Sequence, residues 1–327
     1  MKKPKVLQIL SMYHQAGEKI LSEGADVVRT DELDVQILKD LVSDADGIVL
    51  RAPARVTREI IDAAPNLKVI SGAGVGLDNI DVKYATEKGI MVLHAPAVND
   101  VSTAEHAILL IMALSKSLIP FHSEMSQGNY GIRMLCPSYE LKGKRAGIVG
   151  FGSIAKEVAK RLKLGFEMDV IVWVRRYNET KHQLANELGL TVTTNLDELF
   201  QTSDFISLHI PLTPETKGII DNHHFQMMKP TAYLINTARG AIINHDDLYE
   251  VLKNNKIAGA ALDVFDPEPP PKNWPLLSLP NVIVTPHVGG TTVESNYKMA
   301  TTVAKNVLKA LAGEKPDFIG NPEVLDQ

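Results

Sequence analysis

Short apolar runs alternate with helix-spaced segments almost from end to end of this 327-residue chain, and that alternation constrains the fold more than any other feature. Lys5–Leu10, Gly47–Leu50, Leu67–Ile70, Met91–Leu93, Ala146–Val149, Val170–Val174, Phe205–Ile210, Tyr233–Ile235, Gly259–Leu262 and Val282–Val284 read as short buried strands. Segments between them, such as Ser153–Leu164 with Ile154, Val158, Ala159 and Leu162, repeat at helical spacing. Strand and helix in turn predict an α/β protein with parallel, doubly wound sheets covered on both faces.

The length predicts two domains. Two long helices mark how they are divided. Ser102–Leu118 opens with Ser-Thr-Ala-Glu, a capping box of Ser102 and Glu105; Thr291–Leu311 opens with Thr-Thr-Val-Glu, the same device with Thr291 and Glu294, and stops at Gly313. These helices are expected to carry the chain into and out of a central domain, 101–289. Residues 1–100 and 290–327 would then form one discontinuous outer domain. No repeat of solenoid period and no low-complexity segment interrupts this plan, and Pro267–Pro271 reads as a short loop.

The central segment carries Gly150-Phe151-Gly152-Ser153-Ile154-Ala155 between a strand and a helix. Gly150 permits the tight turn, Gly152 lets the backbone approach a pyrophosphate, and Ala155 allows close packing of helix on strand. The helix N-terminus offers N–H groups to phosphates. This context predicts a dinucleotide-binding domain. An NAD site usually has a carboxylate at the tip of the next strand, on the ribose hydroxyl. Here Val170–Val174 ends in Arg175-Arg176. Guanidinium groups grip a 2′-phosphate, so NADP(H) is the preferred cofactor, with NAD(H) possible if the arginines only cap a sheet end.

Three further strands end in chemically capable segments: Asn236-Thr237-Ala238-Arg239-Gly240, Asp263-Val264-Phe265-Asp266-Pro267-Glu268, and Thr285-Pro286-His287-Val288-Gly289. Their residue types suit reduction of a 2-oxo acid. Arg239 supplies a planar cation for a carboxylate and a polarised carbonyl oxygen. His287 supplies a proton near neutral pH, and Glu268 would orient and stabilise its imidazolium.

With these residues in place, the chain resembles the D-isomer-specific 2-hydroxyacid dehydrogenase family over nearly its whole length. The family's Arg, Glu and His fall on Arg239, Glu268 and His287. Gly72-Ala73-Gly74-Val75-Gly76-Leu77-Asp78-Asn79-Ile80-Asp81 is similar to its substrate loop, which implies that the N–H groups of Val75 and Gly76 hold the substrate carboxylate. The resemblance also implies cofactor contacts from Thr103, His209, Pro211, Thr216, Thr237, Ala238, Asp263, His287 and Gly289. It further implies two Rossmann-like domains, an active site in the cleft between them, and a homodimer joined through Ser102–Leu118 and Ile119–Leu141. At Val174-Arg175-Arg176 the chain resembles the NADPH-dependent glyoxylate, hydroxypyruvate and hydroxyphenylpyruvate reductases. An NAD-dependent phosphoglycerate dehydrogenase is the alternative enzyme: Arg51 could reach a substrate phosphate or help hold any acidic substrate, but Pro53 stands where a second cation would help. A cofactor-sensing interaction protein is the alternative from another class. The chain ends at Gln327, so the C-terminal regulatory domain of some phosphoglycerate dehydrogenases is not expected.

A formal charge of −5 with no basic run gives no reason to expect nucleic acid or an anionic membrane as partner. Cys136 is the sole cysteine, which excludes an internal disulfide or a cysteine-based metal site and suits a reducing compartment. The apolar stretch after Met1-Lys2-Lys3-Pro4 is too short for a signal-peptide core, and no run reaches membrane-spanning length. A cytoplasmic enzyme without bound metal is the expectation.

Overall fold

The computed structural model describes residues 3–176 and 179–326. Met1, Lys2 and Gln327, where the expectations about the chain ends fall, and Tyr177 and Asn178 lie outside the described residues. The chain divides into two compact units, one of Met1–Asn99 with Thr291–Gln327 and one of Asp100–Gly290.

The first unit runs β1 (Lys5–Ile9), α1 (Gln15–Gly24), β2 (Asp26–Thr30), α2 (Val35–Val42), β3 (Gly47–Leu50), α3 (Arg58–Asp62), β4 (Val69–Gly72), α4 (Val82–Glu87) and β5 (Met91–Leu93). A long final helix, Val293–Leu311, returns to this unit. The five strands pair in the order β2-β1-β3-β4-β5, all parallel. Along β1, Leu7 and Ile9 enter one core while Val6 enters the other, so apolar side chains on both faces are covered.

The second unit opens with α5 (Asp100–Ser115) and α6 (Leu118–Ser126) and continues β6 (Arg145–Val149), α7 (Ser153–Gly165), β7 (Asp169–Trp173), α8 (Glu179–Glu187), β8 (Thr191–Thr193), α9 (Leu196–Thr202), β9 (Phe205–Leu208), α10 (Asn222–Met227), β10 (Tyr233–Asn236), α11 (His245–Lys253), β11 (Gly259–Leu262) and β12 (Val282–Val284). Its parallel sheet has the order β12-β11-β10-β9-β6-β7-β8. From β6 the chain builds outward through β7 and β8, then returns to the other side of β6 with β9. The strand order reverses there, which opens a ligand crevice at the carboxyl ends of β6 and β9. Ala146 and Ile148 face the core under α5 and α7, and Val149 faces the core under α9–α11.

Several local expectations are corrected. Two strands, β2 and β8, were not among the predicted ones; both lie at sheet edges. The helix predicted as Ser102–Leu118 spans Asp100–Ser115, and the left-handed Ser117 turns the chain into α6. Ser102 therefore sits inside the first turn, not at the cap, and Glu105 faces Arg161 at 3.9 Å. In the final helix the capping box is formed by Thr292 and Ser295, not Thr291 and Glu294: Thr292 Oγ1 accepts from the Ser295 N–H, and Ser295 Oγ accepts from the Thr292 N–H. Gly313 does end that helix, at φ 77. Among the described residues no single helix is long and apolar enough to cross a membrane, and no group of three or more His, Cys, Asp or Glu is placed to hold a metal ion.

Candidate active site

The nucleotide loop sits at the strand-order reversal. Gly150 follows β6 at φ 104, and a Cβ there would lie 2.6 Å from the carbonyl oxygen of His209. Only glycine fits that turn. Gly152 caps α7 without a side chain, and a Cβ on it would meet no atom of the described residues within 4 Å. The helix N-terminus thus faces open space of the kind a pyrophosphate fills. Phe151 and Ala155 are buried in the core and Ile154 packs against it, so of Phe151 the backbone is what a ligand can meet. The Ser153 hydroxyl bonds to Asp100, whose carboxyl is raised by burial and by the Glu157 charge despite that bond. Arg175 and Arg176 are exposed just past β7, with Trp173 and Val174 buried behind them.

Beyond β9, His209 places Nε2 2.8 Å from Ser207 Oγ, and burial pushes its imidazole down to about 4. It is neutral at ordinary pH. Pro211 begins an exposed loop that buried Thr216 closes, its hydroxyl donating to Pro211 O at 2.7 Å and accepting from the Thr213 N–H. Thr103 is buried in the first turn of α5. The Thr237 hydroxyl, just past β10, is buried and has no protein partner among the described residues. Buried polar atoms are normally satisfied, so an unpartnered one beside the strand ends suits a ligand contact.

The three catalytic candidates follow the carboxyl ends of adjacent strands. Asn236, Leu262 and Val284 end β10, β11 and β12 and lie in register. Asn236 folds the next turn over itself: its Oδ1 accepts from Ala238 N–H and its Nδ2 donates to Arg239 O. Arg239 Nη1 donates to Ala238 O at 2.7 Å. A Cβ on Gly240 would lie 2.1 Å from the backbone of Phe265, so this turn is pressed against the segment leading to Glu268. His287 Nδ1 and Glu268 Oε1 share a short hydrogen bond, and both residues are exposed. The two side chains are therefore paired through Nδ1.

His287 itself has φ 53, a left-handed conformation that costs a bulky residue roughly 1–2 kcal/mol. Such a backbone persists where its surroundings over-determine it. Here the surroundings converge on Asp263, which is 1% exposed. Asp263 Oδ1 accepts from Thr285 Oγ1 at 2.5 Å and from Val288 N–H at 2.9 Å, and Oδ2 accepts from Gly289 N–H at 2.9 Å. Burial works to raise this carboxyl, but hydrogen bonds from His106, Thr285, Val288 and Gly289 outweigh it and hold it below the usual carboxylate range. His106, on α5, was not among the sequence candidates. Its Nε2 lies 3.0 Å from Thr285 Oγ1 and 3.4 Å from Asp263 Oδ1. No sequence signal marked it, because it follows Ser102, Thr103 and Glu105 in the polar first half of α5.

In the first unit, Arg51 follows β3 and the Val75–Gly76 loop follows β4, neighbouring strands of one sheet. Arg51 Nε donates to Ser11 O at 2.8 Å, and its guanidinium lies over the Tyr13 ring, 5.6 Å from the centroid. The Val75 carbonyl is 3.2 Å from His94 Nδ1, and Ala95 N–H donates to Gly74 O, which pins the loop.

Comparison with known proteins matches residues 108–289, more than half of the chain, to the D-isomer specific 2-hydroxyacid dehydrogenase, NAD binding domain. The D-3-phosphoglycerate dehydrogenase of Methanocaldococcus jannaschii is 40% identical over 94% of this chain; the chain spans 58% of that relative's length. The glyoxylate reductase of Thermofilum pendens is 37% identical over 99% of this chain and 96% of its own. Among solved structures, an NADPH-dependent glyoxylate/hydroxypyruvate reductase of Sinorhizobium meliloti, in complex with NADP and malonate, superposes with a TM-score of 0.87 at 27% identity, covering 97% of each chain. The matched domain, the full-length relatives and the His–Glu pair at the strand ends agree, and the chain belongs to the D-isomer specific 2-hydroxyacid dehydrogenase family.

Proposed function

We propose that the chain reduces a small 2-oxo acid to the D-2-hydroxy acid, with NADPH as the preferred cofactor. The bond between His287 Nδ1 and Glu268 carries this reading. A carboxylate on Nδ1–H fixes the tautomer and favours the protonated ring, which leaves Nε2–H to give a proton to the oxygen of the reduced carbonyl. A bound nicotinamide supplies the hydride. Arg239 holds the substrate carboxylate and polarises the carbonyl as negative charge develops there. The backbone N–H groups of Val75 and Gly76, with Arg51, are the proposed anion contacts of the first unit. The Gly150–Ser153 turn grips the pyrophosphate, and Arg175 and Arg176 pair with a 2′-phosphate. The NADP complex of the Sinorhizobium relative supports that cofactor assignment.

The test is steady-state reduction of glyoxylate, hydroxypyruvate, pyruvate and phenylpyruvate, each with NADPH and NADH, in the wild type and His287→Ala. The expected outcome is wild-type turnover favouring NADPH, with the variant losing roughly 100-fold or more in kcat while still binding cofactor. Near-wild-type turnover in the variant removes His287 as the acid. Turnover with NADH alone discards the arginine argument and favours the second reading, a phosphoglycerate dehydrogenase, which the 40% identical relative and Arg51 support. Cofactor binding with no turnover of any of these acids favours a sensing role.

We also propose a homodimer formed through α5, α6 and the segment to Leu141. α6 is apolar in composition yet has no buried residue, which supports a partner surface there.

A further inference from the structure

His106 lies outside every role assigned above, yet it touches the loop that carries the proton donor. Its Nε2 is 3.0 Å from Thr285 Oγ1, and the Thr285 hydroxyl is 2.5 Å from Asp263 Oδ1. Asp263 is ionised and acceptor-only, so the Thr285 hydroxyl donates to it and its lone pairs face His106. The imidazole is therefore the neutral tautomer or the cation with hydrogen on Nε2, donating to Thr285. On the far side of Asp263, its two oxygens accept the N–H groups of Val288 and Gly289. A Cβ on Gly289 would lie 3.2 Å from His106 Cδ2, so the ring also packs against the far end of the loop. Residues two before, one after and two after His287 are thus fastened to one carboxylate, and α5 closes the chain of bonds. His287, held at φ 53, is the residue in the middle.

We infer that His106 is a positioning residue for the reaction: through Thr285 and Asp263 it holds the strained backbone of His287, and so fixes where the proton-donating Nε2 points. The inference rests on the proposed role of His287. The geometry demands one donor from α5 at the Nε2 position. Phenylalanine would fill the space without it, and glutamine carries an N–H at a similar reach. Valine at 285 would remove the middle link and leave His106 only its longer 3.4 Å approach to Asp263 Oδ1.

The experiment compares wild type, His106→Phe, His106→Gln and Thr285→Val. It measures kcat and KM for a 2-oxo acid with NADPH, the NADPH affinity by fluorescence titration, and the NMR signals of the His287 ring in the enzyme without substrate. Displacement of a proton donor by about an ångström costs on the order of 100-fold. His106→Phe and Thr285→Val are expected to lose roughly 10- to 100-fold in kcat, with KM and NADPH affinity little changed and the His287 signals displaced. His106→Gln is expected to restore most of the turnover. The inference is overturned if His106→Phe keeps wild-type kcat and wild-type His287 signals and loses only thermal stability. It is equally overturned if His106→Gln is as impaired as His106→Phe. Should His106→Phe fail to fold, Thr285→Val decides on the same readouts. A wild type that reduces no 2-oxo acid refutes the function reading alone, because the His287 signals still report whether His106 holds the loop.

Discussion

His209 shows how a single side chain can couple the nucleotide domain to pH. Its imidazole is pushed by burial down to about 4 from the ordinary 6.5, with Nε2 kept near Ser207. A histidine with a folded value below its unfolded one takes up its proton more readily in the unfolded chain. Its contribution to stability is therefore complete above about pH 6.5 and is lost as the pH falls toward 4. At 1.36 kcal/mol per unit, the difference is roughly 3 kcal/mol. His209→Gln keeps a group able to bond Ser207 but does not titrate. Urea unfolding at pH 7, 5.5 and 4.5 is expected to show the wild type losing stability more steeply than the variant. Parallel pH dependences would mean that the half-buried imidazole is not responsible. At this scale much of the site was legible in the sequence. Arg239, Glu268 and His287 are polar residues of the right chemistry placed just after apolar strand runs. His106 was not legible in that way, because its role arises from packing α5 against a strand end 179 residues away.

Elements were legible in proportion to their burial. Nine of the ten predicted strands are largely covered, and the tenth, the edge strand β12, is still an apolar run, Val-Ile-Val, whereas β2 reads Asp-Val-Val-Arg-Thr and β8 reads Thr-Val-Thr. Each lies at a sheet edge with a partner on one side only, and a polar, half-exposed strand lacks the apolar run that signals a central one. Helix ends were off by one to three residues because several side chains near a terminus can cap it: Ser295 took the place expected for Glu294, and Ser117 ended α5 early. The glycine loop was the most legible element, and its two glycines separate structure from function. At Gly150 a methyl group collides with His209 O and φ is 104; at Gly152 it meets nothing among the described residues. Gly150→Ala is expected to lower the melting temperature and weaken NADPH binding together. Gly152→Ala is expected to change stability by no more than about 1 kcal/mol, the scale of an N-cap substitution, while still weakening NADPH at least tenfold. Undiminished NADPH affinity in Gly152→Ala would place the phosphates elsewhere.

On the scale of the whole molecule, α6 and the turn after it present an apolar surface to solvent. Leu118, Ile119, Met125 and Tyr130 are at least half exposed, and Met134 and Leu135 reach 80% and 81%. Neither α6 nor the short helical turn Tyr130–Met134 buries a single residue. Scattered exposed apolar side chains are ordinary, but a run of them along consecutive elements is a feature of interfaces. The second unit also offers a shallow groove of about 450 Å³ in which Ile108, Leu164 and Phe166 are flanked by the charged Glu105, Lys160 and Arg161, with Leu164 63% exposed. In a twofold dimer the same patch serves both partners, so an apolar arm can be covered by a second copy of the chain without another protein. Sedimentation velocity at micromolar concentration is expected to give a species of twice 35.8 kDa. Replacing Met134 and Leu135 together by lysine adds two charges to each arm and, in a symmetric interface, four to the contact. This variant is expected to sediment as a folded monomer with an unchanged circular dichroism spectrum. A wild type that is monomeric at all concentrations would show that these side chains do not join two copies. A double variant that stays dimeric would move the interface off this arm.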